Sequence, residues 1–168
     1  MPVTTPKDVF LVLLSHVRQS TEKAANIYAE IGKFAQDPEI KEALEARAFL
    51  SEKTMSTLDQ CFKVLGEQPV KFSGRLQDIF VEDFRKEFAE IQSPVAKKLF
   101  VLAKLIHFTH LQIGEYMALI AAADSQAHYG VGVMLETCLA DKLAFVERTR
   151  RMIRYVAEAK IDALRAAA

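Results

Sequence analysis

Apolar side chains recur along four long stretches of the chain, at intervals that alternate between three and four residues. Since an α-helix has 3.6 residues per turn, this spacing places the apolar positions on one face of each helix. The stretches run from Phe10 to Ala35, from Leu44 to Leu65, from Val95 to Ala123 and from Val131 to Val156. No segment of comparable length shows the alternation of a β-strand. The pattern therefore predicts four long helices packed through their apolar faces.

Residues that start or stop helices stand between these stretches. Thr5 precedes a proline and is followed three positions later by an acid, Asp8, which is typical of a capping box. The same kind of start occurs at Pro38 and at Pro94, each preceded by a capping residue, and positions 124–125 mark the last turn. The first and last links are very short, so we expect the helices that they join to be antiparallel neighbours.

One connection, from Gly66 to Gln92, is long and contains an amphipathic segment of its own. It opens with the helix breakers Gly66, Pro69, Ser73 and Gly74. An apolar stripe follows at Leu76, Ile79, Phe80, Phe84 and Phe88. The stripe predicts a short helix across the end or the side of the bundle. Two helical hairpins joined by one long crossover are typical of an antiparallel, ferritin-like four-helix bundle.

The composition is that of a folded helical domain. Apolar residues make up 51% of the 168 positions and charged residues 26%, which excludes a disordered chain or a loop-rich disulfide scaffold. This length fits one domain with a sizeable core, so we expect residues 1–168 to form a single unit. After about Tyr155 the chain becomes rich in alanine, and its last residues, 165–168, predict a frayed helical tail.

The charge balance bears on the partners of the protein. The 22 basic and 22 acidic residues give a formal net charge of zero, which disfavours nucleic acid and anionic membranes as partners. A net charge near zero also does little to oppose self-association, so we expect a homo-oligomer, with a dimer favoured. Phe80, Phe84 and Phe88 would either be buried in that dimer or cover the core of their own chain.

The cysteines and the N-terminal sequence indicate a cytoplasmic protein. Cys61 and Cys138 lie 77 positions apart, which matches no short metal-binding spacing, and both fall on apolar helix faces. We expect two buried thiols in a reducing compartment. Residues 1–8 lack the pattern of a signal peptide, and charged residues interrupt every apolar run before it could span a membrane.

Four polar residues interrupt the apolar faces near the middle of the helices. They are Thr21, Ser51, Thr109 and Lys142. Divalent metals in such bundles need carboxylate oxygens or imidazole nitrogens, and hydroxyls with a lysine supply neither. The pattern thus indicates a degenerate metal site, without metal and without catalysis. Our hypothesis is that Lys142 supplies positive charge in place of the metals and pairs with Glu22 or Glu52.

A metal site remains the main alternative. Di-metal bundles use a Glu from each of two helices and a Glu-x-x-His pair from each of the other two, and no Glu-x-x-His occurs in this chain. The candidate ligands that remain are Glu22, Glu52, His110 and Asp141. They come from four helices and could hold iron or zinc. The protein would then be either a carboxylate-bridged oxidase or a single-metal binder.

Three further features have both a functional and an ordinary interpretation. His107 and His110 are three positions apart on one helix, as in a metal clip that Glu22 or Asp141 would complete, although two ordinary histidines, one at the bundle edge and one at an interface, have the same spacing. The basic run from Arg148 to Arg154 could bind an acidic surface or nucleic acid, although a solvated helix face is the usual explanation. A pocket beside Thr109 and Lys142 could also take a small molecule.

Several stretches match the sequence of a known family. They are Lys7–Phe10, Leu13–Ser15 and Thr21–Lys23 in the first helix, Leu58–Gln60 in the second, Ala103–His110, Tyr116 and Ala121–Ala123 in the third, and Leu135–Thr137 with Leu139–Asp141 in the fourth. In these stretches the chain resembles the YciE/YciF group, a bacterial ferritin-like family linked to stress responses. The resemblance implies a ferritin-like fold and a role in stress.

The metal ligands that this resemblance implies are only partly present. Glu22 matches the acid of the family's first helix and His110 matches a histidine of its third. Three carboxylate positions of the family fall on Phe49, Thr109 and Gln112. The acids of its fourth helix reduce to Asp141, which Lys142 follows. The resemblance therefore also favours a non-catalytic, self-associating protein over the metal-dependent oxidase.

Overall fold

The computed structural model describes residues 3–72 and 75–166, with the backbone alone over 160–166. Ser73, Gly74 and the end of the predicted tail, 167–168, lie outside the described residues. Five helices follow one another: α1 (Pro6–Phe34), α2 (Pro38–Leu65), α3 (Arg75–Glu90), α4 (Pro94–Ser125) and α5 (Tyr129–Ala166). The described ranges contain no β-strand, so the predicted all-α class is confirmed.

The helices begin where the capping residues predict. Thr5 caps α1: its hydroxyl accepts from the backbone N–H of Asp8, and the Asp8 carboxylate accepts from the backbone N–H of Thr5 at 2.8 Å. Asp37 caps α2 by accepting from two backbone N–H groups, and Ser93 caps α4. Each cap supplies acceptors for N–H groups that the first helical turn leaves unpaired.

The turn between α4 and α5 lies slightly later than predicted. Positions 124–125 still belong to α4, and the turn covers residues 126–128. Ala127 adopts the left-handed conformation, with a φ of 59°, and its N–H donates to the carbonyl of Asp124. The N–H of His128 donates to the carbonyl of Ala123 at 2.9 Å. These bonds close the end of α4 without the glycine that usually marks such a turn.

Two apolar clusters fill the interior, one above the other along the helix axes. The lower cluster consists of Phe10, Leu11, Leu14, Val17, Leu58, Cys61, Phe62, Tyr116, Leu119, Ala123, Val131, Leu135 and Cys138. The upper cluster consists of Ala24, Ile27, Tyr28, Ile31, Ala35, Ile40, Ala43, Leu44, Phe84, Val101, Leu102, Leu105, Phe108, Phe145 and Met152. Helices α1 and α5 run from the lower to the upper cluster, and α2 and α4 run the other way.

Each long helix packs against two others, so that the four form a closed ring. Helix α1 contacts α2 and α4, and α5 contacts the same two helices from the opposite side. Neighbouring helices in this ring run in opposite directions, because one of each pair contributes first to the lower cluster and the other contributes first to the upper cluster.

Helix α3 lies on the side of α1 and α4 and completes the upper cluster. Phe84 is buried in that cluster with 1% of its surface exposed, and Phe80 and Phe88 pack partly buried against it. These three aromatic rings therefore cover the core of their own chain, which resolves the alternative left open by the sequence.

Candidate functional site

A polar layer separates the two apolar clusters. Along every long helix, buried polar residues follow the last member of one cluster and precede the first member of the other. The four residues predicted for this layer, Thr21, Ser51, Thr109 and Lys142, are all buried. Their positions on four different helices bring them to the same height in the molecule.

The hydroxyl groups of the layer are bonded within their own helices. Thr21 donates to the carbonyl of Val17 at 2.8 Å, and Thr109 donates to the carbonyl of Leu105 at the same distance. Ser51 donates to the carbonyl of Arg47 at 3.0 Å. This bond to the residue four positions earlier is the usual arrangement for a serine or threonine inside a helix. It uses the hydroxyl proton, so these oxygens remain available to the layer as acceptors.

A buried arginine, which the sequence interpretation missed, also belongs to the layer. Arg47 is only 1% exposed. Its guanidinium carbon lies 5.6 Å from the ring centres of both Tyr28 and Phe145, a distance suited to cation–π attraction. Arg47 stands three residues after Leu44 and four before Ser51, so it fits the helical spacing as well as the apolar Ala48 does.

Gln112 links two sides of the layer and was likewise unforeseen as a buried contact. Its side-chain oxygen accepts from the ammonium of Lys142 at 3.2 Å and from the hydroxyl of Tyr28 at 3.3 Å. The Tyr28 hydroxyl also lies 3.4 Å from the hydroxyl oxygen of Thr109. This network joins α1, α4 and α5. The spacing of three residues after Thr109 and four before Tyr116 was the signal in the sequence.

Lys142 points into the interior, but its expected partners are wrong. Its ammonium lies 4.9 Å above the ring of Tyr116 and donates to Gln112. Glu22 and Glu52 face outward, and Glu22 lies 3.8 Å from Arg18 on its own helix. The reason is the geometry of the helix, in which adjacent residues point in different directions. Glu22 directly follows the inward Thr21 and Glu52 directly follows the inward Ser51, so both carboxylates point away from the interior.

Burial changes the ionisation of Lys142. Loss of hydration, together with the nearby positive charge of Arg47, lowers the pKa of its ammonium to about 7. Two carboxylates, Glu115 and Asp141, act in the opposite direction. Burial raises the pKa of Glu115, whose hydrogen bond with Ser20 acts against that rise. The layer thus holds two basic groups close to one another.

The candidate metal ligands do not converge. Glu22, Glu52 and His110 are exposed, and Asp141 is only partly buried. Within the described residues, no group of three or more His, Cys, Asp or Glu side chains is arranged to hold a metal ion. His107, the other half of the possible clip, packs its ring edge-on against Phe80 at 5.9 Å between ring centres.

The other features noted in the sequence have ordinary surroundings. Cys61 and Cys138 are free, buried thiols, as expected, and burial raises the pKa of Cys61 to about 12. In the basic run, Arg148 pairs with Glu42 while Arg150 and Arg151 flank Glu147 on the exposed side of α5. That arrangement is a solvated helix face.

A cavity of about 240 Å³ opens beneath α3, between that helix and α1 and α4. Its wall includes Ser20, Phe80 and Phe108 as well as two residues of the interior, Gln112 and Glu115. Since Gln112 also holds Lys142, the cavity reaches the polar layer from its α4 side.

Several solved structures have a similar fold. The stress protein YciF of E. coli gives a TM-score of 0.86 at 15% identity, over 92% of this chain and 98% of that one. YcfI of Rhodopseudomonas palustris, a proposed structural protein, gives 0.83 at 21% identity, over 88% and 94%. A protein of Xanthomonas campestris pv. campestris gives 0.71 at 15% identity, over 96% and 99%. No curated protein matches the chain.

The fold is therefore that of an all-helical protein similar to YciF. Residues 5–162 match the family model described as "Domain of unknown function (DUF892)", and the chain belongs to this family. The resemblance to the YciE/YciF group is confirmed. Within the part of the chain that the structure describes, every helix is too short or too polar to serve as a membrane span.

Proposed function

We propose that this protein is a non-catalytic, self-associating ferritin-like protein with a degenerate metal site, which acts in the cytoplasm in a stress response. One observation carries the proposal. Two buried basic side chains, Arg47 and Lys142, occupy the polar layer between the two apolar clusters.

The ferritin-like four-helix bundle is supported by the order of the helices. Every neighbouring pair in the ring of four runs antiparallel, with short links at 35–37 and 126–128 and one long connection at 66–93. Helix α3 lies within that long connection. One long crossover between two hairpins is the arrangement of ferritin-like bundles.

The charges of the layer argue against a divalent metal. A metal site in such a bundle needs several inward carboxylates, and here the buried positions carry hydroxyls, an amide and two basic groups, with Glu115 as one partly buried carboxylate beside them. Arg47 and a protonated Lys142 repel a cation at this height of the molecule. The acids next to the layer residues in sequence are Glu22 and Glu52, which are exposed, and Asp141, which is partly buried.

Self-association, location and stress role have separate support. The zero net charge leaves little electrostatic repulsion between copies. Two free, buried thiols fit a reducing compartment such as the cytoplasm. The stress role is supported by the similarity of fold to the stress protein YciF.

Metal content tests the proposed degenerate site. The protein is purified without chelator and analysed for metals directly, after incubation with ferrous iron and after incubation with zinc. We expect no metal above background in any sample. Near-stoichiometric metal that Asp141→Ala removes, and that Glu136→Ala on the exposed face of the same helix leaves intact, would overturn the proposal and favour a metal-dependent oxidase.

A further inference from the structure

We propose that the polar layer is a binding site for a small monovalent anion, chloride or a small carboxylate, held by Arg47 with Lys142. The site is independent of self-association and of any role in stress, and it lies where a ferritin-like bundle would carry its metals.

The uncompensated charge of Arg47 is the first reason. A guanidinium stays protonated at every physiological pH, and burying its charge is costly unless an anion and hydrogen-bond acceptors surround it. Arg47 is almost fully buried. Among the described residues none accepts a hydrogen bond from its Nε or Nη1 atoms, and no carboxylate forms an ion pair with it. The two aromatic rings beside it supply only part of the missing stabilisation.

The second reason is the position of Lys142. It stands one helical turn before Phe145, whose ring lies against the Arg47 guanidinium. Its partner Gln112 also bonds Tyr28, the other ring beside Arg47. The charge of Arg47 also lowers the pKa of Lys142, so the two basic groups lie near one another in the layer. An anion between them replaces a repulsion with two attractions, which the low polarity of the interior strengthens.

The remaining donors of the layer select the charge of the ligand. The side-chain amide nitrogen of Gln112, the hydroxyl of Tyr116 and one carboxylate oxygen of Glu115 are buried without a hydrogen-bond partner in the described chain. Arg47, Gln112 and Tyr116 together offer more N–H and O–H donors than this single oxygen can accept, which suits an acceptor-only ligand. Because the rings of Tyr28, Tyr116 and Phe145 lie against the two basic groups, we expect a small ligand, and one negative charge balances the permanent charge of Arg47. The cavity beneath α3 offers a route to Gln112.

Thermal unfolding in exchanged salts tests the site in the whole protein. Chloride replaces gluconate step by step at constant ionic strength, and a parallel series uses acetate. A ligand that binds only the folded state raises Tm, by about 5 to 9 °C between a concentration near Kd and one roughly a hundredfold above it. A Tm that follows ionic strength alone, with no preference for chloride or acetate over gluconate, overturns the proposal.

Variants locate the response. We expect Arg47→Met and Lys142→Met each to lose the anion-dependent rise, and Arg148→Met, on the exposed face of α5, to keep it. Using both interior variants keeps the test decisive if one of them does not fold. Glu115→Gln is expected to keep the response. A response that appears only in Glu115→Gln, or that survives in Arg47→Met, overturns the proposal because Glu115 or another site is then responsible.

Crystallography identifies the ligand directly. Crystals grown with bromide should give an anomalous peak beside Nε of Arg47, and crystals grown with acetate should give planar density at the same place. One of these outcomes distinguishes a halide site from a carboxylate site. If neither feature is found in either crystal, the proposal is overturned, because water then completes the layer.

Discussion

At the scale of single residues, the interior of this protein concentrates charge where a bundle usually concentrates hydrocarbon. Lys142 and Arg47 are buried at one height, and the hydroxyls around them are bonded to their own helices. Transferring a charge from water to the interior costs free energy unless hydrogen bonds or opposite charges compensate for it. Lys142 can avoid much of this cost by losing its proton, whereas Arg47 cannot.

Stability should therefore depend on pH through Lys142. Its pKa is about 7 in the folded protein and near the ordinary 10.5 in the unfolded chain, so the unfolded state binds more protons between these values. The free energy of unfolding in low chloride should rise with pH above about 7, by up to about 1.4 kcal/mol per pH unit for one group. Urea titrations between pH 7 and about 8 check this, because the cysteines of the unfolded chain, with an ordinary pKa of about 8.5, titrate mostly above that range.

Lys142→Met is the matched comparison for that rise. Methionine keeps a long side chain without a titrating group, so the variant should lack the pH-dependent rise while still sharing every other titration with the wild type. Parallel curves for the two proteins across this window would contradict the interior position of the ammonium.

At the scale of elements, α3 is the one helix of the described residues that lies outside the ring of four, and it is attached through aromatic packing. Phe84 contacts Phe34 of α1 and Phe100 of α4 at 5.6 Å between ring centres in each case. Two ion pairs at the solvent edge also join α3 to α1. Arg85 of α3 pairs with a carboxylate of α1, and Lys23 of α1 pairs with a carboxylate of α3. Exposed ion pairs contribute little, so the aromatic contacts should dominate the attachment.

Phe84→Ala tests this attachment. Removing a fully buried ring should lower the free energy of unfolding by about 3 to 5 kcal/mol. Phe49→Ala is the control, because Phe49 is 71% exposed and its removal should change stability by less than about 0.5 kcal/mol. Denaturant titrations measure both. Equal, small effects would mean that α3 contributes nothing to the upper cluster.

The link between α1 and α2 depends on Asp37. Its carboxylate caps α2 and pairs with Lys98 of α4, and this pairing, with the helix N–H groups, lowers the pKa of the carboxyl. Asp37→Ala should cost about 1 kcal/mol of stability, because both functions are lost.

Asp37→Asn separates those two functions. Asparagine caps a helix as well as aspartate does, so this variant should retain most of the stability and lose only the ion pair. Equal losses in the two variants, measured by thermal unfolding, would assign the effect to Lys98 alone.

At the scale of the whole molecule, the polar layer divides one interior into two apolar clusters that all four long helices share. Because each helix contributes to both clusters, neither can form without the other, and unfolding should be cooperative. The phenylalanines of α3 pack in the upper cluster of their own chain. The proposed dimer would therefore form through other surfaces.

Self-association predicts a defined mass and a concentration-dependent stability. Light scattering after size exclusion should give twice the chain mass of 18.9 kDa. Tm should rise with protein concentration, because the folded dimer is favoured by mass action. A single-chain mass together with a constant Tm over a wide concentration range would contradict the proposed dimer.

The sequence by itself determined the all-α class, the starts of the capped helices and the presence of a polar layer. These properties depend on local chemistry: the helical period, the residues that satisfy free N–H groups at a helix start, and a break in an apolar face. Thr5, Asp37 and Ser93 cap their helices as predicted.

Only the tertiary structure decided which polar groups meet. The spacing after Leu44 admits either Arg47 or Ala48 on the inward face, and a small rotation of α2 about its axis selects between them. That rotation is set by packing against α1 and α5, not by the sequence of α2 alone. For the same reason Lys142 meets Gln112 rather than Glu22 or Glu52, because a contact between distant segments depends on how all four helices are turned.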